Sequence, residues 1–254
     1  MTQSNLNLPQ DLLIGRQNGD LIPLLQGEKG INITSVGMVK TEKEYVRAYI
    51  KKIPLREVLV ETVCALLGRR LALPVPRPMW VFGNGEIKEF FFGSEDLSYP
   101  SHKKFMKLNS ISKSQQSQIL EKWDSYRRTI CFDEWIANGD RHNGNILLDH
   151  DLNILLIDHG LSIPNEFPPS QKSNNQLATS LIKNKDDLIL QQIRKDLIEI
   201  ITSFNSSDIP NFTTDGPHID SLIESMNGFL TQRLPCLQDL IKQHVRPRQG
   251  EIPC

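Results

Sequence analysis

The sequence of 254 residues predicts an α+β protein, in which a small strand-rich part is followed by a mostly helical part. Three patterns lead to this prediction. Residues 46–51 alternate between apolar and polar side chains, as a half-buried strand does. Residues 146–148 and 154–157 are short apolar runs joined by a polar turn, which is typical of a hairpin. Residues 114–137 and several later stretches instead repeat apolar side chains at helical spacing.

The first part is expected to contain one helix between two groups of strands. Residues 55–71 have helical periodicity, interrupted by Gly68. The prolines within 73–78 end this helix, because proline lacks an amide donor and restricts the residue before it. Residues 79–82 and 87–92 flank a Gly-Asn-Gly-Glu turn and therefore predict a second hairpin.

The second part is expected to begin with one long helix, 114–137, capped by Ser114. Asp133 near its end is expected to be an exposed carboxylate, with a contact to Arg141 or His142 as the alternative. The polar, proline-containing segment after residue 163 reads as a loop. Further helices are predicted within 187–204, 219–230 and 232–245.

Composition excludes several classes of protein. A net charge of −1 gives no general attraction to nucleic acid or to a membrane surface. No apolar stretch approaches the length of a membrane span, and the first residues lack the pattern of a secretion signal. The length suits a single domain with two lobes, 1–95 and 96–254. Four cysteines without metal-ligand spacing indicate reduced thiols in a cytoplasmic protein: Cys64, Cys131, Cys236 and Cys254.

The hairpin predicted at 146–157 brings three polar side chains to one point. Asn145 precedes its first strand and Asp158 follows its second, so antiparallel pairing places them opposite each other. Their amide and carboxylate oxygens suit Mg²⁺, which takes one or two protein ligands in addition to water and phosphate oxygens. Asp140, five residues before Asn145, can face the same point and accept a proton from a hydroxyl nucleophile. These residue types at this spacing predict phosphoryl transfer from Mg-ATP.

The same residues resemble those of a known family. Residues 138–145 read Asn-Gly-Asp-Arg-His-Asn-Gly-Asn and are similar to the Asn-x-Asp-Arg-His-x-x-Asn motif of HipA-like kinases, with a more distant similarity to type II phosphatidylinositol 4-kinases. Residues 158–160 resemble the metal-binding motif of the protein-kinase-like superfamily, with His159 where eukaryotic protein kinases have Phe. The resemblance covers residues 45–163 and implies a two-lobed protein-kinase-like fold, with a small β-rich N-lobe and a mostly helical C-lobe.

The resemblance also implies a lysine and a glutamate that serve ATP binding and catalysis. Residues 48–51 occupy the frame of the kinase Val-Ala-Ile-Lys motif, and Glu61 lies ten residues after Lys51 in the predicted helix. Strand alternation places Tyr49 and Lys51 on one face and Lys52 on the other. Lys51 is therefore the expected phosphate lysine and Lys52 the alternative. An ordinary surface pair of Lys51 and Glu61 also stays open.

Two further nucleotide-binding segments carry weaker patterns. Residues 90–96 resemble the hinge of a HipA-like kinase, where the chain would meet adenine, although three consecutive phenylalanines also fit a core strand. The candidate contacts are Phe91, Phe92 and Gly93. For the loop over the phosphates, 35–38 is preferred to 27–30 because it is nearer to Lys51, but neither has the pattern of a glycine-rich or Walker loop.

The resemblance implies a serine/threonine kinase that transfers the γ-phosphoryl group of ATP to a protein hydroxyl, with an antitoxin-like protein as a candidate regulator. A phosphoinositide or small-molecule kinase would use the same ATP site, but the sequence has no basic or amphipathic membrane patch. Slow autophosphorylation on Thr34 or Ser35 is also expected. A pseudokinase acting as a binding module is disfavoured by the presence of all five expected residues: Lys51, Glu61, Asp140, Asn145 and Asp158.

Overall fold

A computed structural model describes residues 7–23, 33–83, 90–100, 105, 111–149 and 151–246. The chain is a mixed α+β protein with a sheet-rich first part and a helical second part, as predicted. The strands are β1 (Leu13–Pro23), β2 (Ile33–Thr41), β3 (Tyr45–Lys52), β4 (Pro78–Phe82), β5 (Phe90–Glu95), β6 (Ile146–Leu148) and β7 (Ile154–Leu156). The helices are α1 (Leu55–Arg70), α2 (Lys113–Lys122), α3 (Tyr126–Trp135), α4 (Gln176–Ile182), α5 (Asp187–Thr202), α6 (Pro217–Arg233) and α7 (Leu237–His244). Short 3₁₀ turns span Asn143–Asn145, Ser206–Asp208 and Leu234–Cys236.

The first five strands close into a small barrel in the order β1-β2-β3-β5-β4. Neighbouring strands are antiparallel except β1 and β4, which run parallel. The alternation in β3 decides which of its side chains enter the barrel, because Val46, Ala48 and Ile50 are buried there in a small apolar core. Tyr49 and Lys51 therefore lie on the outer face, which is the division that the sequence predicted.

Helix α1 joins the barrel to the helical part. It begins directly after Pro54, and its residues from Val58 to Gly68 are all buried. A helix that is buried on every side must contact several elements, and α1 packs against β4, β5 and α6. Gly68 permits a close approach to the helical part, since a Cβ there would lie 2.9 Å from Val75 Cγ2 and 3.3 Å from the Phe132 ring.

The prediction of one continuous helix at 114–137 is wrong. The structure has α2 and α3, separated at Trp123, whose ψ of 123° is extended. Asp124 and Ser125 follow, and both residue types favour turns because their side chains compete with the backbone for hydrogen bonds. The apolar period continues through the break because α2 and α3 pack against the same core.

Side-chain caps fix where several helices begin. Helix α2 is capped by Ser112 and not by Ser114, because Ser112 Oγ accepts from Gln115 N while the Gln115 side chain accepts from Ser112 N. Asn175 caps α4 through a bond from Ala178 N, and the side chain of Asp186 caps α5.

The last three helices, α5 to α7, complete the core of the helical part. Helices α5 and α7 pack against α3, and Trp135 Nε1 of α3 donates to Leu230 O of α6 at 2.9 Å. Among the described residues, no helix combines the length and the apolar character that crossing a membrane requires. Within the described residues, three cysteines are free thiols: Cys64, Cys131 and Cys236.

Candidate active site

The hairpin of β6 and β7 forms as predicted, but its register differs by one residue, because Ile146 pairs with Leu156 and Asn145 therefore lies opposite Ile157 rather than Asp158. A hydrogen bond of 3.1 Å from Ile157 N to Asn145 O extends the pairing, so Asn145 and Asp158 lie at the same end of the hairpin. Asp158 has a positive φ of 62°, which is uncommon for a residue other than glycine and turns the chain out of the strand. Asn145 is buried, whereas 42 % of the Asp158 side chain is exposed.

Lys51 connects this end of the hairpin to α1. Its Nζ lies 2.6 Å from Glu61 Oε1 and 2.8 Å from Asp158 Oδ1. Burial lowers the pKa of Lys51, but the Glu61 and Asp158 carboxylates outweigh burial and raise that pKa above its ordinary value. Burial also raises the pKa of Glu61, but the ammonium of Lys51 outweighs it and holds that pKa below its usual range. Both groups are therefore charged at neutral pH.

The two candidate lysines differ in position. Lys52 lies on the face of β3 opposite to Lys51, and its Nζ is 5.8 Å from the centre of the Phe91 ring. Lys51 instead faces Glu61, and 14 % and 2 % of these two side chains are exposed. The pair is therefore a buried contact, and the alternative of an ordinary surface pair does not hold.

Asp140 is held by its own loop. Asp140 N donates to Asn138 Oδ1 at 2.9 Å, and Asn145 Nδ2 donates to Asp140 O at 2.7 Å. Asn145 Nδ2 also lies 3.4 Å from Asp140 Oδ2, so the carboxylate and the amide are adjacent, as the spacing predicted. Because the amide nitrogen of Asn145 points to Asp140, the oxygen Oδ1 is the atom of this side chain that can bind a metal.

A buried ion pair between Arg141 and Asp133 attaches the loop that contains Asp140 to helix α3. Arg141 Nε lies 3.1 Å from Asp133 Oδ2, and both side chains are fully buried. Arg141 Nη1 donates to the carbonyls of Asn145 and Ile157, at 3.2 and 2.6 Å, and so joins the two chain segments that meet at this end of the hairpin. The expectation of an exposed Asp133 is wrong, and the alternative contact with Arg141 is present. No role of its own was predicted for Arg141, although its place directly after Asp140 was the available signal.

His159 attaches α1 to the hairpin. Its backbone N donates to Glu61 Oε2 at 2.8 Å, so Glu61 binds Lys51 with one oxygen and this turn with the other. The imidazole is buried against the Phe132 ring, with 5.8 Å between the ring centres. Burial lowers the pKa of His159, and the ring is neutral at pH 7.

The predicted adenine contacts lie within β5, which spans Phe90–Glu95. Phe91 packs in the core of the barrel, and a Cβ on Gly93 would lie 2.8 Å from Val81 Cγ2 inside it. Phe91 and Gly93 therefore face the interior of the barrel, because alternate residues of this strand point into it. The contact of their backbone groups with adenine stays a prediction. Phe92 pairs with Lys51 across the sheet and shares its face, next to the proposed phosphate site.

The preferred candidate for the loop over the phosphates, residues 35–38, does not form a turn. These residues lie within β2 and all pair with β3. The chain between β1 and β2 contains the other candidate, 27–30, which lies outside the described residues. Thr34 pairs with Lys51 and shares its face, whereas Ser35 is 8 % exposed.

Asn145 and Asp158 fit a magnesium ion. They present an amide oxygen and a half-exposed carboxylate at the same end of the hairpin, and these are the hard oxygen donors that Mg²⁺ prefers. Within the described ranges, no group of three or more His, Cys, Asp or Glu is arranged to hold a metal. A magnesium ion bound mainly by phosphates and water needs no such group.

Comparisons with known proteins indicate one family. A solved structure of a Helicobacter pylori proinflammatory kinase, CtkA, is similar over 88 % of this chain and 96 % of that chain, with 11 % sequence identity and a TM-score of 0.48. A TM-score of this size does not by itself establish a shared fold. No curated protein sequence matches the chain. The model of the HipA-like kinase family matches residues 37–212, which is more than half of the chain and includes all five candidate catalytic and metal-binding residues. The chain therefore belongs to the HipA-like kinase family.

Proposed function

We propose that this protein transfers the γ-phosphoryl group of ATP to the hydroxyl of a serine or threonine in another protein. The family supports phosphotransferase activity in general. The observation that supports the proposal most directly is the place of Lys51, 2.6 Å from Glu61 and 2.8 Å from Asp158, at the end of the hairpin where Asp140 and Asn145 meet. A cation, two metal ligands and a proton acceptor thus converge, and phosphoryl transfer requires this combination.

The nucleotide is proposed to bind between the barrel and the hairpin. Lys51 would bind the α- and β-phosphates, and Glu61 would keep the ammonium group oriented toward them. Asn145 and Asp158 would hold Mg²⁺, which when bound neutralises negative charge on the phosphates. Phe92, on the same face as Lys51, would line the site behind the phosphates.

The transfer is proposed as an in-line displacement. The acceptor oxygen forms a bond to the γ-phosphorus while the bond from that phosphorus to the β,γ-bridging oxygen breaks, and ADP leaves with the electron pair. The hydroxyl proton passes to the carboxylate of Asp140. Because Asn138 and Asn145 already hold the backbone of Asp140, the proton acceptor is oriented before the acceptor binds.

We also propose the arrangement of the domain, a regulator and a location in the cell. Residues 1–95 and 96–254 would be the two lobes of one protein-kinase-like domain, since the last strand of the barrel ends at Glu95. An antitoxin-like protein would regulate it, as the family resemblance implies. A cytoplasmic location is supported by the free thiols of the described cysteines, Cys64, Cys131 and Cys236.

Phosphopeptide mass spectrometry of a cell lysate tests the proposal. The lysate is incubated with Mg-ATP and either wild-type or Asp140→Ala protein. We expect new phosphoserine or phosphothreonine peptides with the wild type and none with Asp140→Ala, because the proton acceptor is lost. Asp215→Ala is the matched control, since Asp215 is an exposed carboxylate in the loop before α6. Its peptides should equal those of the wild type.

The same experiment distinguishes the other acceptors. If ATP is consumed only after phosphoinositide vesicles are added, the acceptor is a lipid. If it is consumed only after small hydroxylated metabolites are added, the acceptor is a small molecule. If the wild type consumes ATP under none of these conditions, the protein is a binding module and the proposed function is wrong.

A further inference from the structure

We propose that Gln176, the first residue of α4, is a positioning residue for Asp140 and acts through the carbonyl group of Gly139. This inference rests on the proposed phosphoryl transfer, in which Asp140 accepts the proton. Gln176 lies far from Asp140 in the sequence, and the sequence analysis gave it no role. Its Nε2 donates to Gly139 O at 3.0 Å.

The bond to Gly139 acts directly on Asp140 because one rigid peptide unit joins the two residues. Gly139 O and Asp140 N belong to the same planar group. Gln176 Nε2 binds the oxygen of this group at 3.0 Å, and Asn138 Oδ1 accepts from its nitrogen at 2.9 Å. Two hydrogen bonds from different side chains thus fix the plane of the peptide. Together with φ of Asp140, this plane sets the direction in which the Cα–Cβ bond of Asp140 points.

Gln176 binds the peptide group between Gly139 and Asp140 from outside the loop. Asn138, which binds the nitrogen of Asp140, lies at the start of the loop and is attached to α3, because its Nδ2 donates to Asp133 Oδ1 at 3.1 Å. Asn145, which binds the oxygen of Asp140, belongs to the loop itself. The chain enters the loop through Ala137, whose φ of 52° is in the left-handed region. The loop is therefore held from two sides, by Asp133 of α3 through Asn138 and Arg141, and by Gln176 of α4 through Gly139.

The start of α4 is itself firmly attached to α3, the helix that leads into the loop. Asn175 Nδ2 donates to Ile130 O at 2.8 Å, while its Oδ1 accepts from Ala178 N at 2.9 Å. Ser173 donates to the buried Glu134 carboxylate twice, from its Oγ at 2.6 Å and its N at 3.1 Å. Gln176 therefore extends from a fixed point, and its amide can hold the loop in place.

The buried Arg233 extends this support to the segment between the hairpin of β6 and β7 and helix α4. Arg233 Nη2 binds Glu134 Oε1 at 2.7 Å, and Arg233 Nη1 donates to the carbonyls of Pro169 and Gln171, both at 2.8 Å. His244 Nε2 lies 2.7 Å from the other oxygen of Glu134. The segment that follows Asp158 is thereby fixed from α6 and α7, and it ends at Gln176. Gln176 thus connects this segment mechanically to the proton acceptor.

Two substitutions of Gln176 test the proposal. Gln176→Met keeps the length of the side chain and removes the donor, and Gln176→Lys keeps a donor on a chain of similar reach. The matched control is Gln192→Met on α5, which removes an exposed glutamine bond of 2.6 Å to Asp196 in the same way. Phosphoryl transfer to dephosphorylated casein gives kcat and KM for ATP. A fluorescent ATP analogue gives the nucleotide Kd, and amide hydrogen exchange reports on residues 139–145.

We expect Gln176→Met to lower kcat about fivefold to tenfold, which corresponds to the loss of one neutral hydrogen bond. The nucleotide Kd and the KM for ATP should not change, because Gln176 bonds to the carbonyl of Gly139 and the proposed phosphate and metal contacts are made by other residues, Lys51, Asn145 and Asp158. Amide exchange at 139–145 should become faster. Gln176→Lys should recover most of kcat, and Gln192→Met should equal the wild type.

A wild-type kcat together with wild-type exchange in Gln176→Met would overturn the proposal. Nucleotide affinity and melting temperature that fall in parallel with kcat would also overturn it, since the residue would then be merely structural. Absence of transfer by the wild type to casein and to every other acceptor would instead contradict the proposed function. In that case the exchange measurement alone still decides whether Gln176 holds the loop.

Discussion

Replacing Lys51 with methionine is expected to reduce both stability and activity, and a second substitution should restore the stability alone. Methionine retains an apolar stem but lacks the ammonium group that lies 2.6 Å from Glu61 Oε1. Glu61, with 2 % of its side chain exposed, then loses its cation and keeps the backbone amide of His159 as a partner. A buried carboxylate is left without charge compensation.

Removing one member of a buried ion pair costs about 3–5 kcal/mol, because the remaining charge is desolvated. Asp158 adds little to this cost, since 42 % of its side chain is exposed and water can replace the lysine. The variant Lys51→Met should therefore be about 3–5 kcal/mol less stable than the wild type at neutral pH. The double variant Lys51→Met/Glu61→Gln removes both charges and keeps an acceptor for His159. It should recover most of this stability and remain inactive.

The pH dependence of stability provides an independent check. In the wild type, burial raises the pKa of Glu61 but Lys51 holds it below its ordinary value, so its stabilising contribution is present above the unfolded pKa of about 4.3. In Lys51→Met the same carboxylate is buried without a cation and its pKa is raised, so the variant loses stability as pH rises above about 4.3. The difference between the two proteins should therefore decrease from neutral pH toward about pH 4.

Urea unfolding at several pH values measures these differences, and transfer from ATP to casein measures activity. Lys52→Met is the matched control, because Lys52 is exposed on the other face of β3 and the loss of its contact with the Phe91 ring should change stability by less than about 1 kcal/mol. Wild-type stability of Lys51→Met at neutral pH would refute the reasoning. So would a double variant that is no more stable than Lys51→Met. If Lys52→Met lost phosphoryl transfer and Lys51→Met kept it, Lys52 would be the lysine that binds the phosphates, and the assignment to Lys51 would be wrong.

Three further predictions concern the metal, the support of the loop and a modification. Asp158→Asn should abolish transfer and weaken Mg-ATP binding, and wild-type turnover would contradict the metal assignment. Arg141→Met leaves Asp133 buried without its cation and should cost about 3–5 kcal/mol in urea unfolding, a loss that a second change of Asp133 to Asn should reduce. Autophosphorylation, mapped by peptide mass spectrometry against an inactive variant, should label Thr34, because Ser35 is buried. Phosphate on Ser35 would contradict that expectation.

Features that depend on neighbouring residues could be predicted from the sequence. The hairpin brings Asn145 and Asp158 to the same end because the turn between its strands is short, although the register, which differs by one residue from the prediction, places Ile157 opposite Asn145. The alternation of β3 assigns Lys51 and Lys52 to opposite faces because successive strand residues always point in opposite directions. The same rule would have divided Phe91 from Phe92, but a run of apolar residues does not show which face the barrel encloses.

Features that depend on burial could not be predicted in this way. The break between α2 and α3 leaves the apolar period intact, so periodicity cannot show it. Asp133 is a buried partner of Arg141, although an acidic residue in a helix is usually exposed. Gln176 reaches Gly139 from a helix that follows 36 intervening residues, and no local pattern connects the two.

The sequence by itself determined which residues are chemically suited to phosphoryl transfer and which of them share a strand or a hairpin. Their chemistry belongs to the side chains, and their pairing over short distances follows from backbone geometry. Only the tertiary structure decided how α1 brings Glu61 to Lys51 and His159, how Gln176 reaches Gly139, and how Arg233 binds Glu134. These contacts join distant segments, and they exist because packing the core removes charged and polar groups from water and so requires each of them to find a partner.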